Sequence, residues 1–363
     1  MRKAHEMFVL KPITCNLFPN MRRITLLTNP DVCNLRCPMC FLNQRALLNC
    51  NARSAENGNG DCPPDNGRER FFYCNKERRA FGVGEMSFEV ARTAIEKYAA
   101  ERDASGKRLL REVIPSTMGE PLLYSHFEEL LELCRAFGIP LNLTTNGTFP
   151  GKWVSDAAME LLLRSCSDIK VSYLASEQFD GWKANVEKLV RVRDRLRENA
   201  GCEDADCAMD ADADCAETAE SRVATISLQV TLHKKNLQEV PEIVSWASAI
   251  GVDRIKWNKV VLLSSASQAL REMYALDDAL LESLRNHLRS GEFSASNVKH
   301  EGSLFFKNCA DQCAVGGKCE SCPFADEVWV WPDGHEDHCP NPERRYVIPG
   351  MTGNLPLGNE IKG

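Results

Sequence analysis

The sequence has no long apolar run. Nothing in its 363 residues approaches the roughly 20 apolar residues that a helix needs to cross a bilayer. The apolar stretch Met7–Leu10 behind Met1-Arg2-Lys3 is too short for a secretory signal core. A basic surplus is also missing. Lys and Arg number 44 against 51 Asp and Glu, a formal net charge of −7, whereas a nucleic-acid surface usually carries the opposite balance. These absences predict a soluble, cytoplasmic protein with no membrane and no nucleic-acid partner. The composition, 44% hydrophobic and 26% charged, is that of a folded chain rather than a disordered one. The length admits one large domain with a smaller one.

What the sequence does have is cysteine, 17 in all. With no secretion signal, clustered thiols point to metal or redox chemistry rather than to a disulfide scaffold. They fall into the groups 33/37/40, 50/62/74, 202/207/215 and 309/313/319/322/339, with Cys15, Cys134 and Cys166 alone. Cys134 and Cys166 lie in apolar stretches that read as helical, where buried structural thiols are expected. The 50/62/74 and 202/207/215 spacings match no recognisable site and read as loop thiols.

Strand and helix patterns alternate from Arg23 onward. Strands are predicted at 23–28, 112–114, 140–144, 169–174, 225–231 and 254–257. Helices are predicted at 87–101 behind Ser87 as N-cap, 125–137 stopped by Gly138, 182–197, 241–250 and 277–289. Such alternation predicts parallel βα units, and right-handed crossovers would wrap six of them into an open barrel. In barrels of this kind the chemistry sits at the C-terminal strand ends. Residues 44–84 and 199–221 interrupt the rhythm and read as surface insertions.

Cys33-Asn-Leu-Arg-Cys37-Pro-Met-Cys40 directly follows the first strand. A [4Fe–4S] cube usually takes four protein thiolates. Three from one loop leave an iron open to an external ligand, as open catalytic zinc sites do. The spacing and its place resemble the signature of the radical S-adenosylmethionine (radical SAM) superfamily. The resemblance implies that Cys33, Cys37 and Cys40 hold a [4Fe–4S] cluster whose open iron is chelated by S-adenosylmethionine. One electron then cleaves the sulfonium and yields a 5′-deoxyadenosyl radical, with a reductant such as flavodoxin or ferredoxin as partner. Met39 stands where the family usually has an aromatic residue packed on the adenine, and a polarizable thioether suits that place. Met118-Gly119-Glu120-Pro121 resembles the family's Gly-Gly-Glu-Pro element, with Met118 for the first glycine. It implies cofactor contacts by Gly119, Glu120 and Pro121, the carboxylate accepting from the cofactor's ammonium. Thr144-Thr145-Asn146-Gly147 resembles the third-strand element. Ser172 and Gln229 occupy places where family members contact ribose or carboxylate. No general acid or base is named; His233 follows the fifth strand and reads as a surface histidine, with a place facing the cavity as the alternative.

Toward the C-terminus, Cys309, Cys313, Cys319 and Cys322 precede Val328-Trp-Val-Trp331-Pro-Asp-Gly334, which reads as a hairpin with a tight turn, and then Cys339. Eleven residues separate Cys322 from Gly334 and four separate Gly334 from Cys339. This resembles the SPASM or twitch auxiliary-cluster extension of some radical SAM enzymes, and Leu357-Gly358-Asn359 resembles the segment after its hairpin. It implies one auxiliary [4Fe–4S] cluster held by four of those five cysteines. Structural zinc is the alternative, because CxxC elements suit it equally.

The expected fold is therefore α/β, a partial (βα)6 TIM-like barrel with a small cysteine-rich C-terminal domain. The expected boundaries are an N-terminal extension at 1–22, the radical SAM core at 23–292 and the auxiliary-cluster domain at 293–363. The expected activity is hydrogen abstraction that modifies a peptide or protein side chain. Oxidation or rearrangement of a small-molecule intermediate is the alternative, because only 22 residues precede the first strand, too few for a leader-peptide-binding domain. A non-catalytic iron–sulfur or zinc protein is the alternative from another class.

Overall fold

The computed structural model describes residues 22–35, 37, 39–40, 84–115, 118–174, 181–200, 222–262, 266–289, 298–305 and 327–337. The predicted βα rhythm is present. β1 (Arg22–Leu26) is followed by α1 (Phe88–Ala99), β2 (Leu110–Pro115), α2 (Phe127–Ala136), β3 (Leu141–Thr145), α3 (Asp156–Ser165), β4 (Cys166–Tyr173), α4 (Trp182–Ala200), β5 (Thr225–Leu232), α5 (Val240–Ile250) and β6 (Arg254–Lys259). α6 (Gln268–Tyr274), α7 (Asp278–Arg289), β7 (Lys299–Glu301), β8 (Glu327–Val330) and β9 (Glu336–Asp337) complete the order.

Local sequence explains the helix ends. Ser87 caps α1, its hydroxyl accepting from Val90 N at 3.4 Å. Ala91, Ala94, Ile95 and Tyr98 then form the buried stripe that a period of 3.6 residues produces. α5 carries Pro241 in its first turn and stops at Gly251, whose φ of +78° is the left-handed closure that glycine adopts freely.

The sheet order is β7-β6-β5-β4-β3-β2-β1-β8-β9, parallel except for the β8–β9 pair, and open at both edges among the described residues. One face packs on the helices through Ile169, Val171 and Tyr173 of β4 and Ile226, Leu228 and Val230 of β5, all in the main core. The other face carries the alternate residues Asp168, Lys170, Ser172, Thr225, Ser227 and Gln229. This is the expected α/β architecture with a parallel central sheet, a partial TIM-like barrel.

The hairpin forms as expected, with Trp329 opposite Asp337 and Gly334 N donating to Trp331 O at 2.9 Å. Its strands join the main sheet. β8 lies parallel to β1, Arg23 opposite Glu327, and Thr25 Oγ1 donates to Glu327 Oε1 at 2.7 Å. Tyr98 OH and Lys97 Nζ of α1 hold Glu336 from the side, each at 2.8 Å. β7 adds to β6 at the opposite edge.

One local reading is corrected. Cys166 is not helical: α3 ends at Ser165, and Cys166 opens β4. Both Cys134 and Cys166 are buried, as expected, and burial pushes the Cys134 thiol up to about 12. Cys309, Cys313, Cys319, Cys322 and Cys339 lie outside the described residues, as do Cys15, the 50/62/74 and 202/207/215 thiols, Leu357–Asn359 and nearly all of both insertions. Among the described residues no helix is long and apolar enough to cross a membrane.

Candidate active site

The three motifs converge at the C-terminal ends of β1, β2 and β3, which are neighbours in the sheet. Gly119 shows how closely they approach. Its φ is +75°, and a Cβ there would collide with the carbonyl oxygen of Asn29 and stand 2.5 Å from that of Val32. The turn after β1 thus packs directly on the Met118–Pro121 turn, and only glycine fits between them. Backbone hydrogen bonds close the seam: Glu120 N donates to Val32 O at 2.8 Å, and Asn29 Nδ2 donates to Glu120 O at 2.7 Å.

Glu120 is 0% exposed. Its carboxylate accepts from Thr145 Oγ1 at 2.8 Å, from Asn146 N at 2.7 Å and from Leu122 N at 3.3 Å. The last of these caps the 3-10 turn Pro121–Leu123, where Pro121 loses nothing by lacking an N–H. Burial pushes the Glu120 carboxyl up to about 7, against the opposing pull of the three donors. One buried acid therefore ties the end of β3 to the end of β2, and its backbone ties both to the loop after β1. Its hydrogen bonds run to the protein itself.

Asn146 carries the connection to the cysteines. Its Nδ2 donates to Cys33 Sγ at 3.6 Å and to Asn34 Oδ1 at 2.8 Å, and Leu35 N donates to Cys33 Sγ at 3.4 Å. Gly147 follows with φ +80°, in a space where a Cβ would meet Trp182 Nε1 at 2.5 Å and Val171 Cγ1 at 2.7 Å. Cys33, Cys37 and Cys40 are all partly exposed. Three thiols in one exposed loop, one already receiving N–H donors, suit an iron–sulfur cluster, in which hydrogen bonds to sulfur help set the potential. Among the described residues no three His, Cys, Asp or Glu side chains converge as they would around a single metal ion.

Met39 is buried against Leu270 and Tyr274 of α6, with Cys37, Leu174, Val260 and Leu262 beside it. Ser172 and Gln229 face each other across β4 and β5, half-buried on the inner face. His233 is corrected from surface to core. It is 0% exposed, edge-on to the Tyr274 ring, with Nε2 2.6 Å from Leu174 O and Nδ1 accepting from Lys235 N at 3.2 Å.

No family model and no curated protein matches the sequence. Solved structures do. SuiB of Streptococcus suis bound to S-adenosylmethionine overlays with a TM-score of 0.50 at 12% identity, over 92% of this chain and 62% of that one. The two chains share a fold, an α/β partial barrel around a parallel sheet. SuiB bound to its precursor peptide SuiA matches at TM-score 0.49 and 14% identity, over 88% of this chain and 59% of that one. The enzyme anSMEcpe with bound AdoMet matches at 0.48 and 14%, over 90% and 72%. The chain thus spans about three fifths of the length of SuiB.

Within this fold the sequence missed two kinds of site residue. Asn29 is a buried polar group whose only signal was adjacency to a motif, and Thr145 is a buried one that lay inside a motif without a role of its own. The second kind is an ionic network across the inner face, where barrels of the TIM type are normally filled by branched apolar residues. Arg23 lies 3.2 Å from Glu327 and 3.7 Å from Glu112. Asn142 Nδ2 donates to Glu112 at 3.0 Å, and Lys170 Nζ donates to Asn142 Oδ1. Asp168 accepts from Lys256 at 2.6 Å, Ser227 at 2.7 Å and Thr225 at 2.9 Å; burial pushes its carboxyl up, but the positive charges of Lys256, Lys170 and Arg254 outweigh it and hold the carboxyl low. Arg254 reaches Glu301 of β7 at 3.8 Å.

Proposed function

We propose that the chain is a radical SAM enzyme in which Cys33, Cys37 and Cys40 hold a [4Fe–4S] cluster, and that it modifies a peptide or protein side chain. The observation that carries this reading is the Glu120 junction. It fixes the cysteine loop, the Met118–Pro121 turn and the Thr145–Gly147 turn as one unit at the barrel rim. With cluster and S-adenosylmethionine bound, the site supplies a 5′-deoxyadenosyl radical that removes one substrate hydrogen.

The chain's own residues orient that chemistry. Glu120 is a positioning residue, with its oxygens committed to Leu122, Thr145 and Asn146, and Gly119 and Pro121 shape the turn that faces the cofactor. Asn146 donates to Cys33, the kind of contact that tunes a bound cluster. Ser172 and Gln229, on the inner face, would contact the cofactor, and Met39, buried against α6, would stand beside its adenine. Four of Cys309, Cys313, Cys319, Cys322 and Cys339 hold an auxiliary [4Fe–4S] cluster, with zinc as the alternative, and flavodoxin or ferredoxin supplies the electron. The peptide or protein substrate is what the resemblance of those cysteines to the SPASM extension implies.

The test is anaerobic reconstitution. Two cubes give about eight irons per chain, and one cube with zinc about four. Reduction with S-adenosylmethionine is expected to yield 5′-deoxyadenosine, and Cys37→Ala is expected to abolish it. Undiminished formation by the variant overturns the assignment.

A further inference from the structure

We propose that Lys170 anchors a carboxylate of the substrate inside the barrel, with the Thr144 hydroxyl as second donor. This deepens the radical SAM reading and rests on it.

The argument starts from the ionic network. Asp168 is taken by Lys256, Ser227 and Thr225, and Glu112 and Glu327 share Arg23, assisted by Asn142, Ser167 and Thr25. Lys170 alone among these cations has no carboxylate within ion-pair distance among the described residues. Its one acceptor is the neutral amide oxygen of Asn142. An ammonium has three donors, so two are left for a ligand. Thr144 lies directly opposite Lys170 on β3, and its hydroxyl makes no hydrogen bond among the described residues. Both side chains are half-buried on the inner face, so they border space rather than packed core.

Their place in the barrel fits a substrate rather than the cofactor. Thr144 sits two residues below Asn146, which touches Cys33, and Lys170 two residues below Ser172. Two strand residues span about 7 Å, the depth at which a bound group would hold its neighbouring C–H bonds under the rim.

The electrostatics agree. Burial and the like charge of Lys256 lower the Lys170 ammonium to about 8, while Asp168 and Glu112 pull the other way and Arg23 adds to the lowering. Desolvated charges of one sign gain most from a direct counter-ion. A carboxylate on Nζ would complete the network and keep Lys170 charged at neutral pH.

The test uses the reconstituted full-length chain and three probes: N-acetylglutamate amide, N-acetylaspartate amide and the neutral N-acetylglutamine amide. Calorimetric titration is expected to show the acidic probes binding wild type and Lys170→Arg at least tenfold more tightly than the glutamine probe. Lys170→Met is expected to lose that preference. Equal binding of acidic and neutral probes by wild type overturns the proposal without reference to any variant, as does an unchanged preference in a folded Lys170→Met. Formation of 5′-deoxyadenosine by wild type is measured in parallel. Its absence would count against the enzyme reading while leaving the anion preference to be judged by titration.

Discussion

Replacing Glu120 with Gln separates two effects that oppose each other at the junction. Burial favours the neutral acid, and the donors from Thr145, Asn146 and Leu122 favour the carboxylate. Burial wins, and the folded carboxyl sits at about 7 against an ordinary 4.5. A shift of 2.5 units at about 1.36 kcal/mol each makes roughly 3 kcal/mol. The sign follows from linkage. The folded chain holds this proton more tightly than the unfolded one, so the contribution is complete below pH 4.5 and is lost as pH rises through 7. Gln keeps one acceptor oxygen but turns an NH2 toward Asn146 N, a pH-independent penalty of about 1–3 kcal/mol. Urea unfolding of metal-free wild type and Glu120→Gln between pH 4 and 8 isolates the titration, since the other ionisable groups cancel in the difference. Wild type should lose about 3 kcal/mol relative to the variant across that range. A flat difference, or one of opposite slope, means that the three donors outweigh burial, and the reasoning fails.

Two further outcomes follow from the same geometry. Gly119→Ala places a methyl group against the carbonyls of Asn29 and Val32 at a left-handed φ. A loss of about 3 kcal/mol or more in unfolding free energy is expected, and a neutral substitution would show that the turns are not in contact. His233 is buried and its pKa is lowered by burial from the ordinary 6.5, so its contribution is complete above that value and fades as pH falls through the lower folded one. Wild type should therefore gain on His233→Phe as pH rises from 5 to 7, and parallel stability curves would refute a neutral core histidine.

Six strands and most of the helices were legible because each carried its own local signal, such as the Ser87 cap, the Gly251 stop or the alternation of Thr225–Thr231. The motif turns were legible for the same reason. What escaped was short or non-local. α6 has seven residues, fewer than two full periods, and β7 has three, of which all are polar. The pairing of β8 with β1 leaves no trace in either segment, because strand partners separated by about 300 residues are chosen by the assembled sheet. The inner ionic network was hidden by its own pattern. Asp168, Lys170 and Ser172 alternate with apolar residues as a solvent-facing strand would, and only the wrapping of the sheet into a partial barrel makes that side an interior. The same holds for Glu120, whose motif was plain while its commitment to Thr145 and Asn146 was not.

The place of β8 has a consequence for how the chain is made. β1, the strand that leads into the cysteine loop, has β2 on one side and Glu327–Val330 on the other. During synthesis that second side stays an open hydrogen-bonding edge until some 300 further residues have been translated. Such an edge is a template for wrong pairing, and contacts this distant in sequence form late. Chains interrupted before Glu327 should therefore be the ones that aggregate, and metal loading at Cys33 would begin on a strand still waiting for its neighbour.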